Sequence, residues 1–97
     1  MKTPYTIMQA VCDYFDIDAE TLRSRQRDAY TAEARQICCY LIREYNPRFS
    51  YDSIGAIVKR AGCVAFYAVH VIENRLSIKD AVTTPAVYNL RKILEAL

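Results

Sequence analysis

From Ala34 to Tyr45 the apolar side chains fall at Ala34, Ile37, Cys38, Leu41 and Tyr45, with Cys39 and Ile42 flanking them. Steps of three and four residues mark one face of a helix. A stripe this broad has to be covered from two sides, so the segment reads as a central helix. The rest of the chain supplies matching faces. Ile7, Met8, Val11 and Phe15 make one. Tyr51, Ile54, Ile57 and Val58 make a second, and Ala65, Ala68, Val69, Ile72 and Leu76 a third. Val87, Leu90, Leu94 and Leu97 make a fourth. No stretch alternates with period two over a useful length, so no strand is expected. The fold class is all-α: a small helical bundle, one domain over residues 1–97.

Local signals divide the bundle. Thr3-Pro4 is an N-cap followed by proline at the first helical position, and Thr84-Pro85 repeats the device for the last helix. Asp18 caps a short helix with Glu20 in its first turn and Leu22 inward, and Thr31 is the expected cap of the long helix. Asn46-Pro47 ends that helix, because the residue before proline is pushed out of the helical region. Ser50 opens the next, and Lys59-Arg60-Ala61-Gly62 breaks it. Helices over 50–60 and 63–76, joined by a short glycine-containing turn, form a helix-turn-helix arrangement at about 50–76.

Composition narrows the function classes. With 53% hydrophobic and 25% charged residues, two Gly and three Pro, the chain is neither disordered nor collagen-like. A formal charge of +2 permits nucleic-acid binding without arguing for it. The cysteines at 12, 38, 39 and 63 form no C-x-x-C pair, and His70 is the only histidine. No metal site and no cofactor are expected, and the cysteines read as free thiols in a reducing cytosol. His70 has no Ser, Cys or Asp in a catalytic context, and there is no glycine-rich phosphate loop, so neither an enzyme nor a small-molecule substrate is expected. The opening Met1-Lys2-Thr3-Pro4 lacks the apolar segment of a signal peptide, and the longest apolar run, residues 61–72, is too short to span a bilayer. A cytoplasmic protein with no membrane partner is the expectation.

The segment "LRSRQRDAYTAEARQI", residues 22–37, is the richest in arginine. Arg23, Arg25 and Arg27 alternate with polar residues, and Arg35 follows on the long helix. Guanidinium is planar, always charged and weakly hydrated, which suits phosphate and narrow-groove contacts better than an ammonium does. The plain alternative is a solvated loop, with Arg35 paired to nearby acids.

The order of motifs resembles the C-terminal DNA-binding domain of the bacterial replication initiator DnaA, over about Thr6 to Leu97. An opening helix carries Val11 to Phe15, and a short helix and basic loop read "TLRSRQR". A long helix begins Ala34-Arg35-Gln36 and runs on to Tyr40-Leu41 and Arg43-Glu44. Ser50 to Gly55 matches "S-x-x-x-I-G", and the following helix ends in Ile72-Glu73. The resemblance implies a helix-turn-helix fold of the Trp-repressor-like kind and duplex DNA as partner. It implies Arg27 at the minor groove, Arg25 on a second basic-loop position, and Arg35 on the DNA backbone.

One departure matters more than the matches. The family begins its recognition helix with Gly-Gly-Arg-Asp-His-[Thr/Ser]-Thr-Val, whose Asp-His-Thr-Thr portion reads base edges. This chain has "KRAGCVAFYAVHVIEN", one residue shorter, so the reading positions fall near Ala61, Gly62, Cys63 and Val64. None has a polar fork that can hold a base in a bidentate way. The outward side of the helix should carry Cys63, Phe66, Tyr67, His70 and Asn74. The expected DNA-binding set is therefore Arg23, Arg25, Arg27, Arg35 and Gln36, with Lys59 and Arg60 at the corner and Cys63, Tyr67 and His70 on the helix. Weak or altered sequence specificity is expected, because phosphate contacts position a protein while base contacts specify. The alternative function on the same fold is a protein-interaction or homodimer surface built from Phe66, Tyr67 and Val71.

Overall fold

The computed structural model describes residues 2–97. Six helices lie among them: α1 (Pro4–Phe15), α2 (Ala19–Leu22), α3 (Ala29–Tyr45), α4 (Tyr51–Ile57), α5 (Gly62–Ser77) and α6 (Thr83–Glu95). No strand occurs among the described residues, and no single helix there is long and apolar enough to cross a membrane. The broad stripe of the long helix has its reason: all five other helices pack on α3. Its Ile37, Leu41 and Ile42 are fully buried, each contributing about 1.5–3 kcal/mol of apolar burial. They join Ile7, Val11, Leu22, Ile54, Val58, Ile72, Leu90 and Leu94 in one continuous core. Cys12, Cys38 and Cys39 lie in that core as free thiols, and Cys63 is an exposed one. Burial pushes the Cys39 thiol up to about 12.

Two helix starts differ from those expected. α3 begins at Ala29, and its N-cap is Asp28, three residues before the expected cap Thr31. The Asp28 carboxylate accepts both the Thr31 amide and the Thr31 hydroxyl, each at 3.0 Å. Both residues are competent caps. Burial of Thr31 decides between them, because a buried hydroxyl needs a partner and the carboxylate supplies it. The basic loop is correspondingly short. α6 likewise starts at Thr83, not after Thr84. The Asp80 carboxylate accepts the Val82 and Thr83 amides at 3.1 and 2.8 Å, and the Thr83 hydroxyl donates to Glu33 at 2.9 Å. The Thr84 hydroxyl is buried without a protein partner.

The helix-turn-helix is α4 and α5, and the chain turns by 91° between them. Gly62 opens α5 and is not part of the break. The corner is tight. Lys59 adopts a left-handed φ of 56°, and a Cβ on Gly55 would run into the carbonyl oxygens of Arg60 and Ala61. Glycine is needed at Gly55 for that close approach.

Candidate nucleic-acid interface

The α2–α3 loop is held from beneath. Arg35 donates through Nε to the Leu22 carbonyl at 2.8 Å and through Nη2 to the Ser24 and Gln26 carbonyls, both at 3.2 Å. The residue is only 8% exposed. The sequence expectation put Arg35 on the DNA backbone. It is largely buried, and three carbonyl acceptors converge on it, so it supports the loop from beneath. Arg60 ties the loop to the helix-turn-helix corner. Its Nη2 donates to the Ser24 carbonyl at 2.6 Å, across 36 residues of chain, while Nη1 reaches the Val58 and Lys59 carbonyls. One backbone oxygen, that of Ser24, thus receives two guanidinium groups.

This joint leaves a cleft of about 400 Å³ between loop and corner, lined by Arg23, Arg25, Arg27, Lys59, Arg60 and Ala61. Five cations line it and no carboxylate does. Arg25, Arg27 and Lys59 are exposed, and Arg23 and Arg60 are half-buried. The Arg23 Nε is buried without a protein partner. Burial first, then the nearby charge of Arg60, lowers the pKa of Arg35. Concentrated positive charge of this kind favours a bound anion, and a formal net charge of +2 gave no hint of it.

The exposed face of α5 adjoins the cleft. Cys63, Val64, Phe66, Tyr67, His70 and Asn74 are all exposed, with Phe66 at 49% and Tyr67 at 65%. Phe66 and Tyr51 form a T-shaped pair at a centroid distance of 5.1 Å, and the Phe66 and His70 rings lie 4.1 Å apart. His70 Nδ1 lies 2.8 Å from the Phe66 carbonyl, which orients the ring along the helix. Val71 is half-buried and belongs to the face only in part. At the start of α5, Ala61 provides no side-chain cap. A Cβ on Gly62 would run into the carboxylate of Asp52.

The structure therefore brings Arg23, Arg25, Arg27, Lys59 and Arg60 together and sets Arg35 below them. Gln36 and Tyr67 meet at a recess of about 90 Å³ that Arg35, Arg60 and Val64 also line. Cys63 and His70 lie on the α5 face and do not line the cleft. Two participants were invisible in the sequence. The Ser24 carbonyl carries no residue identity, and Tyr51 reads simply as an inward position of α4.

A tight two-helix corner backed by a central helix, with a basic loop docked against it, defines a helix-turn-helix domain. Residues 4–72 match the family described as bacterial DnaA protein helix-turn-helix, and the chain belongs to that family. It is 34% identical over 86 residues to the chromosomal replication initiator protein DnaA of Mycoplasma genitalium, covering 84% of this chain and 19% of that protein. The DnaA of Desulfatibacillum aliphaticivorans is 33% identical over 87 residues, 90% of this chain and 19% of the relative. That of Gloeobacter violaceus is 34% identical over 95 residues, 97% of this chain and 21% of the relative. The chain spans about a fifth of the length of these curated relatives.

Proposed function

We propose that this domain binds duplex DNA, mainly through the phosphate backbone and the minor groove, with weak or altered sequence specificity. The observation that carries the reading is the cleft lined by five cations and no acid between the basic loop and the helix-turn-helix corner. Arg25, Arg27 and Lys59 reach outward to DNA, Arg23 and Arg60 line the floor, and Arg35 holds the loop in shape. The absence of a bidentate group at Ala61 to Val64 supports low discrimination among bases, since each such contact is worth about 1–3 kcal/mol. The replication initiators' preferred box is accordingly not preferred here. The domain acts without catalysis, in the cytoplasm, in replication initiation or transcription regulation.

Salt titration of binding to random duplex tests this. Neutralising about three to five phosphates gives a slope of log affinity against log salt of roughly −3 to −5. Arg27→Ala should weaken binding by about 1–2 kcal/mol, as a charge-assisted contact does. No binding at low salt, or a tenfold preference for the initiator box over scrambled duplex, overturns the reading. A protein-interaction surface is the second reading, favoured by the exposure of Phe66 and Tyr67. It requires Phe66→Ser or Tyr67→Ser to abolish self-association while leaving the melting temperature unchanged.

A further inference from the structure

We propose that the α5 face is a stacking platform for unpaired bases, so that the domain also takes single-stranded nucleic acid. The inference rests on the cleft as a phosphate site and adds Tyr67 as the group that meets a base. Tyr67 is 65% exposed and makes no hydrogen bond among the described residues. It borders the recess that Arg60 and Val64 also line, and Arg60 lines the cationic cleft as well. Arg60 is therefore the shared wall between a site for phosphates and an open aromatic ring. A positive groove beside exposed aromatic rings is how single strands are held without regard to sequence, because every base has a π-face.

Geometry and area separate this occupant from the others. In a duplex the base faces are stacked away and only their edges line the grooves, so a Tyr or Phe on a groove-lying helix finds nothing to stack on. A protein partner needs about 800 Å² from each side. The large apolar residues exposed on α5 are Val64, Phe66 and Tyr67, which together offer roughly 300 Å², given that a whole aromatic side chain buries about 150–250 Å². That area is small for a protein interface and ample for one or two bases. Phe66 is already engaged by Tyr51 and His70, so Tyr67 is the free platform.

The test compares three labelled ligands by fluorescence anisotropy at one salt concentration: an oligothymidylate of about twenty nucleotides, an abasic deoxyribose-phosphate oligomer of equal length, and a duplex. The oligothymidylate should bind at least about fivefold more tightly than the abasic oligomer, the lower end of one stacked base. Tyr67→Leu should remove that difference, Tyr67→Phe should keep it, and neither should move the melting temperature, since the side chain is largely exposed. Oligouridylate in place of oligothymidylate distinguishes RNA from DNA as the source of the strand. Equal affinity for base-bearing and abasic strands, or a Tyr67→Leu variant that keeps the difference, overturns the proposal. So does a wild-type dimer that Tyr67→Leu converts to monomer, which would identify the face as a protein interface. Failure of the cleft itself is distinguishable, because then neither the duplex nor the abasic oligomer binds.

Discussion

Replacing Arg35 by alanine separates support of the loop from direct contact with DNA. The guanidinium reaches three backbone carbonyls, those of Leu22, Ser24 and Gln26. Their losses are unequal. The Leu22 bond is buried, so its oxygen loses a charged donor of about 1.5–3 kcal/mol with no replacement. The Ser24 oxygen keeps the 2.6 Å bond from Arg60, and Gln26 is exposed enough for water to substitute. Removing the packed stem of a side chain only 8% exposed adds about 1 kcal/mol. Relief of repulsion with Arg60, one cause of the lowered Arg35 pKa, offsets part of this. The sum is about 3 kcal/mol, a large share of the roughly 5–15 kcal/mol that holds a small domain. At about 4–8 °C per kcal/mol, the melting temperature should drop by about 12–24 °C. Arg35→Lys should recover little, because one ammonium cannot fork to three acceptors. Thermal melts by circular dichroism, run beside DNA salt titrations, give the answer. A variant that melts within a few degrees of wild type but loses DNA affinity would refute the supporting role and make Arg35 a phosphate contact.

Gly55→Ala should destabilise the domain by about 2 kcal/mol or more, since its Cβ meets carbonyl oxygens of the corner backbone that have no room to move; an unchanged denaturation midpoint would show that the corner yields. Acid should loosen the helix starts. The carboxyls of Asp18, Asp28 and Asp80 are held below their ordinary 3.8, first of all by the amides of Thr21, Thr31 and Thr83. A lowered native pKa stabilises the fold fully above the unfolded value, and that stability is lost as pH falls through the native one. Melting temperature should therefore decline only below about pH 4. Asp28→Asn, which still caps, should flatten that decline in a pH series of thermal melts.

Much of this molecule was legible locally. Period-three and period-four apolar spacing placed the helices. The breadth of the stripe from Ala34 to Tyr45 marked α3 as a central helix covered from two sides, and in the fold all five other helices pack on it. Proline at Pro4 and acidic capping at Asp18 set two helix starts, because capping depends on neighbours within four residues. The arginine loop and the weak reading positions at Ala61 to Val64 were likewise visible as residue types at given places. Which groups face outward was not. Arg25 and Arg35 are the same residue in adjacent segments, and only the convergence of the Leu22, Ser24 and Gln26 carbonyls turns Arg35 inward. Asp28 and Thr31 are both good caps, and the burial of Thr31 chose Asp28. Phe66 and Tyr67 sit at spacings that suit a core as well as a surface, and no helix of the bundle covers them fully. The cleft needs Arg60 to reach Ser24 across 36 residues, so its charge density is a property of the folded chain. Periodicity and capping act within a turn or two of helix. Burial and convergence depend on what the rest of the chain brings alongside.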